Sequence, residues 1–295
     1  MKIYRYITRL NCPACNCSES ITLYEESFAK GATFSFIKRY YSHRISKERL
    51  GIGFYELVRC SNCTLIFQKH IPDKNSLEDI YERAINQHDS LNKREYASPG
   101  YFRSLLISAS VVNYFIRKSR ARDIKVLDFG MGWGHWALAA KALGFEVEGA
   151  ELSKSRIKFA KQQGLKIVNL FNDDRNKYDF INTDQVFEHL DKPFEILIQL
   201  SKSLNPNGII KIFVPNANHD YRSLASGEWI PRKDSFHPLE HLNGFNSKSL
   251  NILAKRCNLF PVRITDLSSR SSFKLLSQQM KHFIGTPSWY FCKKI

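Results

Sequence analysis

The chain has no apolar run approaching the roughly 20 residues of a membrane-spanning helix. Its start, Met1-Lys-Ile-Tyr-Arg-Tyr, is basic and lacks the apolar core of a secretory signal. Both absences predict a cytoplasmic protein. Acidic residues are short: 28 Asp+Glu stand against 44 Lys+Arg, a formal charge of +16. The shortage is uneven. Residues 1–120 are net +8, residues 121–250 net +1 and residues 251–295 net +7. A near-neutral middle with basic flanks favours an anionic partner, a phosphorylated acceptor, nucleic acid or acidic membrane surface among them. A solubilising surface is the competing reading. Hydrophobic content of 43% is enough to bury a real core in 295 residues.

With no secretory signal, the seven cysteines point to a metal rather than a disulfide framework. Four of them form two C-x-x-C pairs, Cys12/Cys15 and Cys60/Cys63. Two such knuckles can set four thiolates tetrahedrally around a structural Zn²⁺. Phe54-Tyr-Glu-Leu-Val-Arg and Thr64-Leu-Ile-Phe flank the second knuckle as strands, the pattern of a zinc ribbon. Cys17 is left as a spare, and Tyr40-Tyr41-Ser-His43 between the knuckles is expected to pack or bind.

The most informative stretch is Lys125-Val-Leu-Asp128-Phe-Gly130-Met-Gly132-Trp-Gly134. It reads as a buried strand, an acidic end and a glycine turn, with Ala137-Leu-Ala-Ala starting a helix. Such a turn lets a ligand approach the backbone at a helix N-terminus. A dinucleotide fingerprint needs glycine at the third position after the second glycine, and position 135 is His135. Alternation continues with strands expected at 124–129, 146–151, 165–169, 178–183 and 208–214. Helices are expected at 135–143, 154–163, 193–204 and 247–256. This spacing implies an α/β, doubly wound Rossmann-like parallel sheet. An earlier helix is expected over Tyr101 to Arg117, and Asn205-Pro-Asn-Gly208 reads as a turn.

Ligands of such sheets sit at the carboxyl ends of the strands. The second strand ends at Glu151-Leu152, 23 residues after Asp128. A carboxylate there suits two ribose hydroxyls. After the third strand, Phe171, Asn172 and Asp173 are candidates to border an adenine, Asn172 being carried as the cofactor residue. The fourth strand ends Asp184-Gln185-Val-Phe187-Glu188-His189, where a neutral imidazole can take a proton from an acceptor hydroxyl. A purely structural use of Glu188 and His189 carries equal weight. In the insertion 216–246, His237 and His241 are read as a loop pair facing substrate, with a metal as the lesser reading.

The glycine block resembles motif I of class I S-adenosylmethionine-dependent methyltransferases. The Glu188-His189-Leu stretch with Pro193, and His237-Pro-Leu-Glu-His241-Leu-Asn-Gly-Phe245, are similar to segments of the subgroup that modifies small molecules and sugars. The resemblance implies a seven-stranded methyltransferase sheet behind a small N-terminal zinc-ribbon-like domain. Domains are expected at 1–75 (ribbon), 76–122 (helical cover of the pocket, including Tyr96 and Tyr101) and 123–295. It implies S-adenosylmethionine held by Asp128, Gly130, Gly132, Gly134, Glu151, Leu152, Asn172, Asp184 and Gln185. His189, Glu188 and His241 would meet the acceptor. The expected reaction is methyl transfer to oxygen of a small anionic or glycan-like molecule. Two departures matter. Val214-Pro-Asn216-Ala lacks the N/D-P-P-Y/F tetrapeptide of amino-methylating nucleic acid enzymes. The further C-terminal domain of sugar C-methyltransferases is not expected here, which speaks against C-methylation. RNA modification by ribbon and basic flanks is the first alternative, and a non-catalytic binding module the second. The amphipathic segment from Phe273 to Ile284 is read as a core helix, with membrane contact the weaker use.

Overall fold

The computed structural model describes residues 3–85, 91, 98–170, 177–262 and 288–293. It divides into two compact units. One takes residues 1–90, 187–193 and 215–253, and the other takes 91–186, 194–214 and 254–295. These lines differ from boundaries drawn along the chain at 75 and 122. The turn after the fourth strand and most of the insertion after the fifth fold with the N-terminal residues.

The second unit holds a seven-stranded sheet. Its order is Leu259–Pro261, Ser288–Lys293, Leu204–Phe213, Tyr178–Asp184, Lys125–Phe129, Glu146–Ala150 and Lys166–Ile167. Ser288–Lys293 runs antiparallel to both neighbours, and the remaining adjacent pairs are parallel. The central strands are buried on both faces, as parallel strands must be when helices cover them. Tyr178 to Thr183 shows no exposed residue. Val126, Phe180 and Ile209, from three adjacent strands, pack with Trp136, Ala140, Ala109 and Val112. Asp179 is buried at the strand entrance because Lys118, Asn205 and the Lys125 amide all donate to it, at 2.7, 2.9 and 2.8 Å.

Two expectations shift. The helix expected over 101–117 is Pro99–Ser110 followed by the short Val112–Phe115, so its last turn is not continuous. The turn Asn205–Gly208 lies inside the strand Leu204–Phe213, where the register slips between Leu204 and Ile209. Asn207 takes φ +61 there, which Asn tolerates better than most residues. Leu259–Pro261 forms a strand beyond the five expected, and residues 263–287 lie outside the described residues. The Phe273–Ile284 segment is among them.

The first unit is built on an antiparallel sheet ordered Asn243–Gly244, Ile66–Gln68, Phe54–Cys60 and Ser20–Ser27. The Cys60/Cys63 knuckle is therefore the turn of a hairpin, as its flanks predict. The strand Asn243–Gly244 comes from the insertion. Phe28, Ile37, Tyr41, Leu50 and Tyr55 share one core with Leu224, Trp229, Phe236 and Leu239. Neither half of that core closes without the other. Among the described residues no helix is long and apolar enough to cross a membrane.

Candidate functional site

Three groupings of side chains carry chemistry. The first is the cysteine cluster. Backbone turns Asn16 N–H to Cys12 O and Thr64 N–H to Cys60 O close the two knuckles at 2.9 and 3.1 Å. Asn16 and Thr64 both take positive φ, at 65 and 63, so the knuckles share one geometry. The Sγ atoms of Cys12 and Cys63 are 3.5 Å apart, as are those of Cys15 and Cys60. All four lie within 4.8 Å of one another. A tetrahedron with metal–sulfur bonds of ~2.3 Å has sulfurs ~3.8 Å apart, so the set fits such an ion. A hydrogen bond from Cys63 holds the Cys12 thiol down at about 6, while burial pushes Cys60 up to about 12. Cys17 stands outside the cluster, its thiol 3.7 Å from the Glu19 carbonyl.

The second grouping is the glycine turn of the second unit. Gly130, Gly132 and Gly134 take φ of 67, 57 and 79, conformations that L side chains rarely adopt. A Cβ on Gly130 would meet Val186 at 2.5 Å, but a Cβ on Gly132 would meet nothing within 4 Å. The middle of the turn thus faces open space while its ends are packed. Glu151 ties the turn to the second strand. Its Oε2 accepts from the Gly132 amide at 2.9 Å, and its Oε1 accepts from Leu152 and Ser153 at 2.8 and 3.0 Å. Beside it Leu152 is 92% exposed, an uncovered apolar side chain. Tyr101 packs edge-on against His135 at the start of the next helix, with centroids 6.2 Å apart. An open backbone cradle, a carboxylate with acceptor capacity left on Oε2 and an exposed leucine fit a nucleoside-bearing cofactor. Asn172 and Tyr96 lie outside the described residues.

Asp128 lies beneath the turn and is buried. Asn182 donates to its Oδ1 at 2.8 Å, and Lys211 donates to Asn182 Oδ1 at 3.1 Å. Lys211 also lies 3.9 Å from the half-exposed Asp184. Gln185 takes φ 55 at the strand end, its amide bonded to the Phe213 carbonyl. Burial pushes the Asp128 carboxyl up to about 7, with Asp184 adding to the rise and Asn182 opposing it. The unfolded carboxyl titrates near 3.9. Between about pH 4 and pH 7 the folded chain therefore keeps a proton that the unfolded chain has lost. Stability from this group is present at the low end of that window and declines as pH rises through it. Asp128→Asn should flatten the decline. Urea unfolding between about pH 5 and pH 7 should lose a slope worth about 2 kcal/mol. An unchanged slope would assign that titration to another group.

The third grouping lies in the first unit, which the chain enters between Val186 and Phe187. Phe187–His189 forms a single 3-10 turn. Glu188 is 1% exposed. Glu188, His189 and His241 each place one ligand atom within 4.8 Å of the others. His189 Nδ1 stands 2.9 Å from the Glu240 carbonyl and 3.0 Å from the Tyr81 hydroxyl. His241 Nδ1 stands 2.6 Å from the Asp234 carbonyl. A carbonyl only accepts, so both Nδ1 atoms carry a proton, and in the neutral ring the lone pair is on Nε2. Burial, and then the neighbouring His189, hold His241 down at about 3. It is neutral at physiological pH. His237 is buried against Tyr40, with centroids 4.3 Å apart, and forms the wall behind His241. It lies in a loop, as Pro238 and Asn243-Gly244 predict. Tyr41 donates to Glu240 Oε1 at 2.8 Å, so the tyrosines between the knuckles pack inward.

Sequence reasoning did not find the brace under this turn. Asn243 Nδ2 donates to the carbonyls of Phe187 and Leu190, at 3.0 and 2.7 Å. Its Oδ1 accepts from Arg9 at 2.8 Å. Arg9 also donates to the carbonyls of Gln68 and Leu242, both at 2.6 Å through Nη2. In the sequence Arg9 is one more cation in a basic stretch. No local pattern marks it.

The sheet, its glycine turn and the acid closing the second strand define the S-adenosylmethionine-dependent methyltransferase class. Residues 101–263 match a family described as a methyltransferase domain, more than half of the chain, and the chain belongs to that family. The ubiquinone biosynthesis O-methyltransferase of Caulobacter vibrioides is 30% identical over 127 residues, 37% of this chain and 50% of that protein. The protein of the same name from Idiomarina loihiensis is 26% identical over 132 residues, 38% of this chain and 54% of that protein. The chain spans about half the length of these curated relatives. Among solved structures, the plantazolicin methyltransferase BpumL in complex with SAH superposes with a TM-score of 0.52 at 17% identity. It covers 74% of this chain and 94% of its own. BamL, another plantazolicin methyltransferase, gives a TM-score of 0.51 at 14% identity over 74% of this chain and 94% of its own. These two likenesses are of fold.

Proposed function

We propose that the protein transfers a methyl group from S-adenosylmethionine to a hydroxyl of a small anionic or glycan-like acceptor. The observation that carries this reading is the pair of imidazoles fixed with lone pairs on Nε2 beside the Glu188 carboxylate. A hydroxyl nucleophile needs a fixed acceptor for its proton, and the Nε2 of an imidazole oriented through its Nδ1–H is one. The names of the curated relatives, O-methyltransferases, support oxygen as the site. The basic flanks support an anionic acceptor.

When bound, S-adenosylmethionine supplies a methyl group already activated on a sulfonium. The chain's residues then have to bind, orient and exclude water. Gly130 and Gly132 open the backbone to the cofactor. Asp128 provides a buried carboxyl below the turn, tied to Asn182, and Asp184 and Gln185 border the strand end. Glu151 would take a ribose hydroxyl on Oε2, and the exposed Leu152 would offer apolar surface to the nucleoside. Cys12, Cys15, Cys60 and Cys63 hold a structural Zn²⁺ that fastens the two knuckles.

Glu151→Ala should weaken binding of S-adenosylhomocysteine by about 10- to 100-fold. It removes both the ribose acceptor and the tie to the Gly132 amide, each worth about 1–1.5 kcal/mol. Calorimetric affinity equal to the wild type would remove Glu151 from the cofactor site. The reaction itself is tested with methyl-labelled S-adenosylmethionine and a panel of phenolic, sugar and sugar-phosphate acceptors. Label on oxygen supports the reading, and label only on nitrogen or carbon overturns it.

A further inference from the structure

The Glu188–His189–His241 cluster has the features of a second metal centre, separate from the four cysteines. We infer that it binds one divalent first-row cation through two imidazole Nε2 atoms and one carboxylate oxygen. This rests on the proposed function only in placing an acceptor there, because the binding itself needs neither acceptor nor cofactor.

Three observations converge. The first is distance: one ligand atom from each residue lies within 4.8 Å of the other two, and the three come from two chain segments some 50 residues apart. The second is orientation. Metal-ligating histidines almost always give their other ring N–H to a carbonyl or carboxylate, which fixes the ring and raises its basicity. His189 and His241 both do so, to the carbonyls of Glu240 and Asp234. Two independent rings locked in one tautomer at one place is what a ligand set requires and a hydrophobic core does not. The third is support. The Glu188–His189 turn is braced by Asn243 through both flanking carbonyls, and the Tyr81 hydroxyl stands 3.0 Å from the same Nδ1 of His189 that faces the Glu240 carbonyl. Glu188 itself is buried, and carboxylates are buried where donors, paired charges or metals hold them.

The donor set selects the ion. Two imidazoles and one carboxylate suit Zn²⁺, Fe²⁺, Co²⁺ or Mn²⁺, whereas Mg²⁺ and Ca²⁺ prefer all-oxygen cages. Three protein donors leave coordination positions for outside ligands. Those positions take oxygen donors, so the favoured acceptor carries a hydroxyl next to a second oxygen, with which it chelates the ion; with the ion bound the His189 lone pair is engaged, and the ion would acidify that hydroxyl in place of the imidazole. This narrows the acceptor from anionic in general to a bidentate oxygen ligand. His237 is not part of the set. It packs behind His241 with ring centroids 5.4 Å apart and sets where that ring stands.

The test is Co²⁺ titration of the full-length chain whose cysteine cluster is already loaded with Zn²⁺, read by calorimetry and by visible absorption. The expected result is one further equivalent per chain whose spectrum lacks thiolate charge transfer. His241→Ala and Glu188→Gln should each weaken that equivalent by at least about 100-fold, while Zn²⁺ stays at one per chain. S-adenosylhomocysteine affinity, read in parallel, shows that each variant is folded. Imidazole ¹⁵N spectra give a second readout in the wild type: Co²⁺ should broaden the Nε2 resonances of His189 and His241. Wild-type protein that takes no further Co²⁺, or a further equivalent that survives both substitutions, overturns the metal centre. Either result leaves methyl transfer itself to be decided by the acceptor panel.

Discussion

Cys60→Ser is expected to strip the cysteine cluster of its metal and to lower stability by about 5 kcal/mol or more. Structural zinc contributes its binding free energy directly to folding, with apparent values of roughly 10–16 kcal/mol in isolated fingers. The loss here is smaller than that because the unit has a core of its own. Phe28, Ile37, Tyr55, Trp229 and their neighbours form it, and no knuckle residue belongs to it. The damage should therefore be local first. Amide exchange should rise around residues 12–17 and 60–65, with the core protected until global unfolding. Acidification should mimic the substitution, since thiolates bind metal and thiols do not. Metal content is read by mass spectrometry and stability by urea titration. A variant that keeps one zinc per chain would show that the cysteines are ordinary buried thiols.

Arg9→Met should cost about 3 kcal/mol, because three acceptors depend on the Arg9 guanidinium. The substitution keeps an unbranched apolar side chain but removes every donor and the guanidinium that lies 5.1 Å from the Phe67 ring centroid. The carbonyls of Gln68 and Leu242 and the Asn243 Oδ1 then lose a charged partner, at roughly 1–3 kcal/mol for each group left unpaired. Arg9→Lys should rescue little, because one ammonium cannot reproduce a planar fork that serves three acceptors. A second effect separates bracing from bulk stability. With Oδ1 unheld, the Asn243 amide is free to rotate away from the carbonyls of Phe187 and Leu190. The His189 ring resonances should then broaden or split at temperatures where the variant is fully folded. Sharp, unshifted His189 signals in Arg9→Met would confine Arg9 to fold stability.

The parts of the molecule that sequence made legible are those whose information is local. The glycine turn, the acid before it and Glu151 sit on one strand–turn–helix–strand unit. Periodicity and spacing sufficed there, and the strands stand within a few residues of their expected ranges. The knuckles are local in the same sense. Asn205–Gly208 shows a limit of that method, since turn chemistry marks a bulge within a strand as readily as a strand's start. Arg9 and Asn243 show a deeper one. Their hydrogen bond spans 234 positions, and nothing near either residue announces the other. The same holds for Asn243–Gly244, two residues that read as a loop and complete the sheet beside Ile66–Gln68. His189 and His241 were each visible as candidates. That both imidazoles are turned the same way by main-chain carbonyls was not, because no side-chain pattern encodes which carbonyl a ring will meet.

The shared core of the first unit has a consequence for how the chain is made. A ribosome releases residues 1–90 well before it has synthesised Leu224, Trp229, Phe236 and Leu239, against which Tyr55 and Phe28 pack. For that interval the N-terminal segment carries uncovered aromatic surface, the condition in which nascent chains associate wrongly or recruit chaperones. Early metal capture by the two knuckles would pin the hairpin during the wait. Expression yield should therefore respond to zinc supply during synthesis far more than to zinc added after lysis. A fragment ending near residue 90 should be found in aggregates even when its cysteines are loaded.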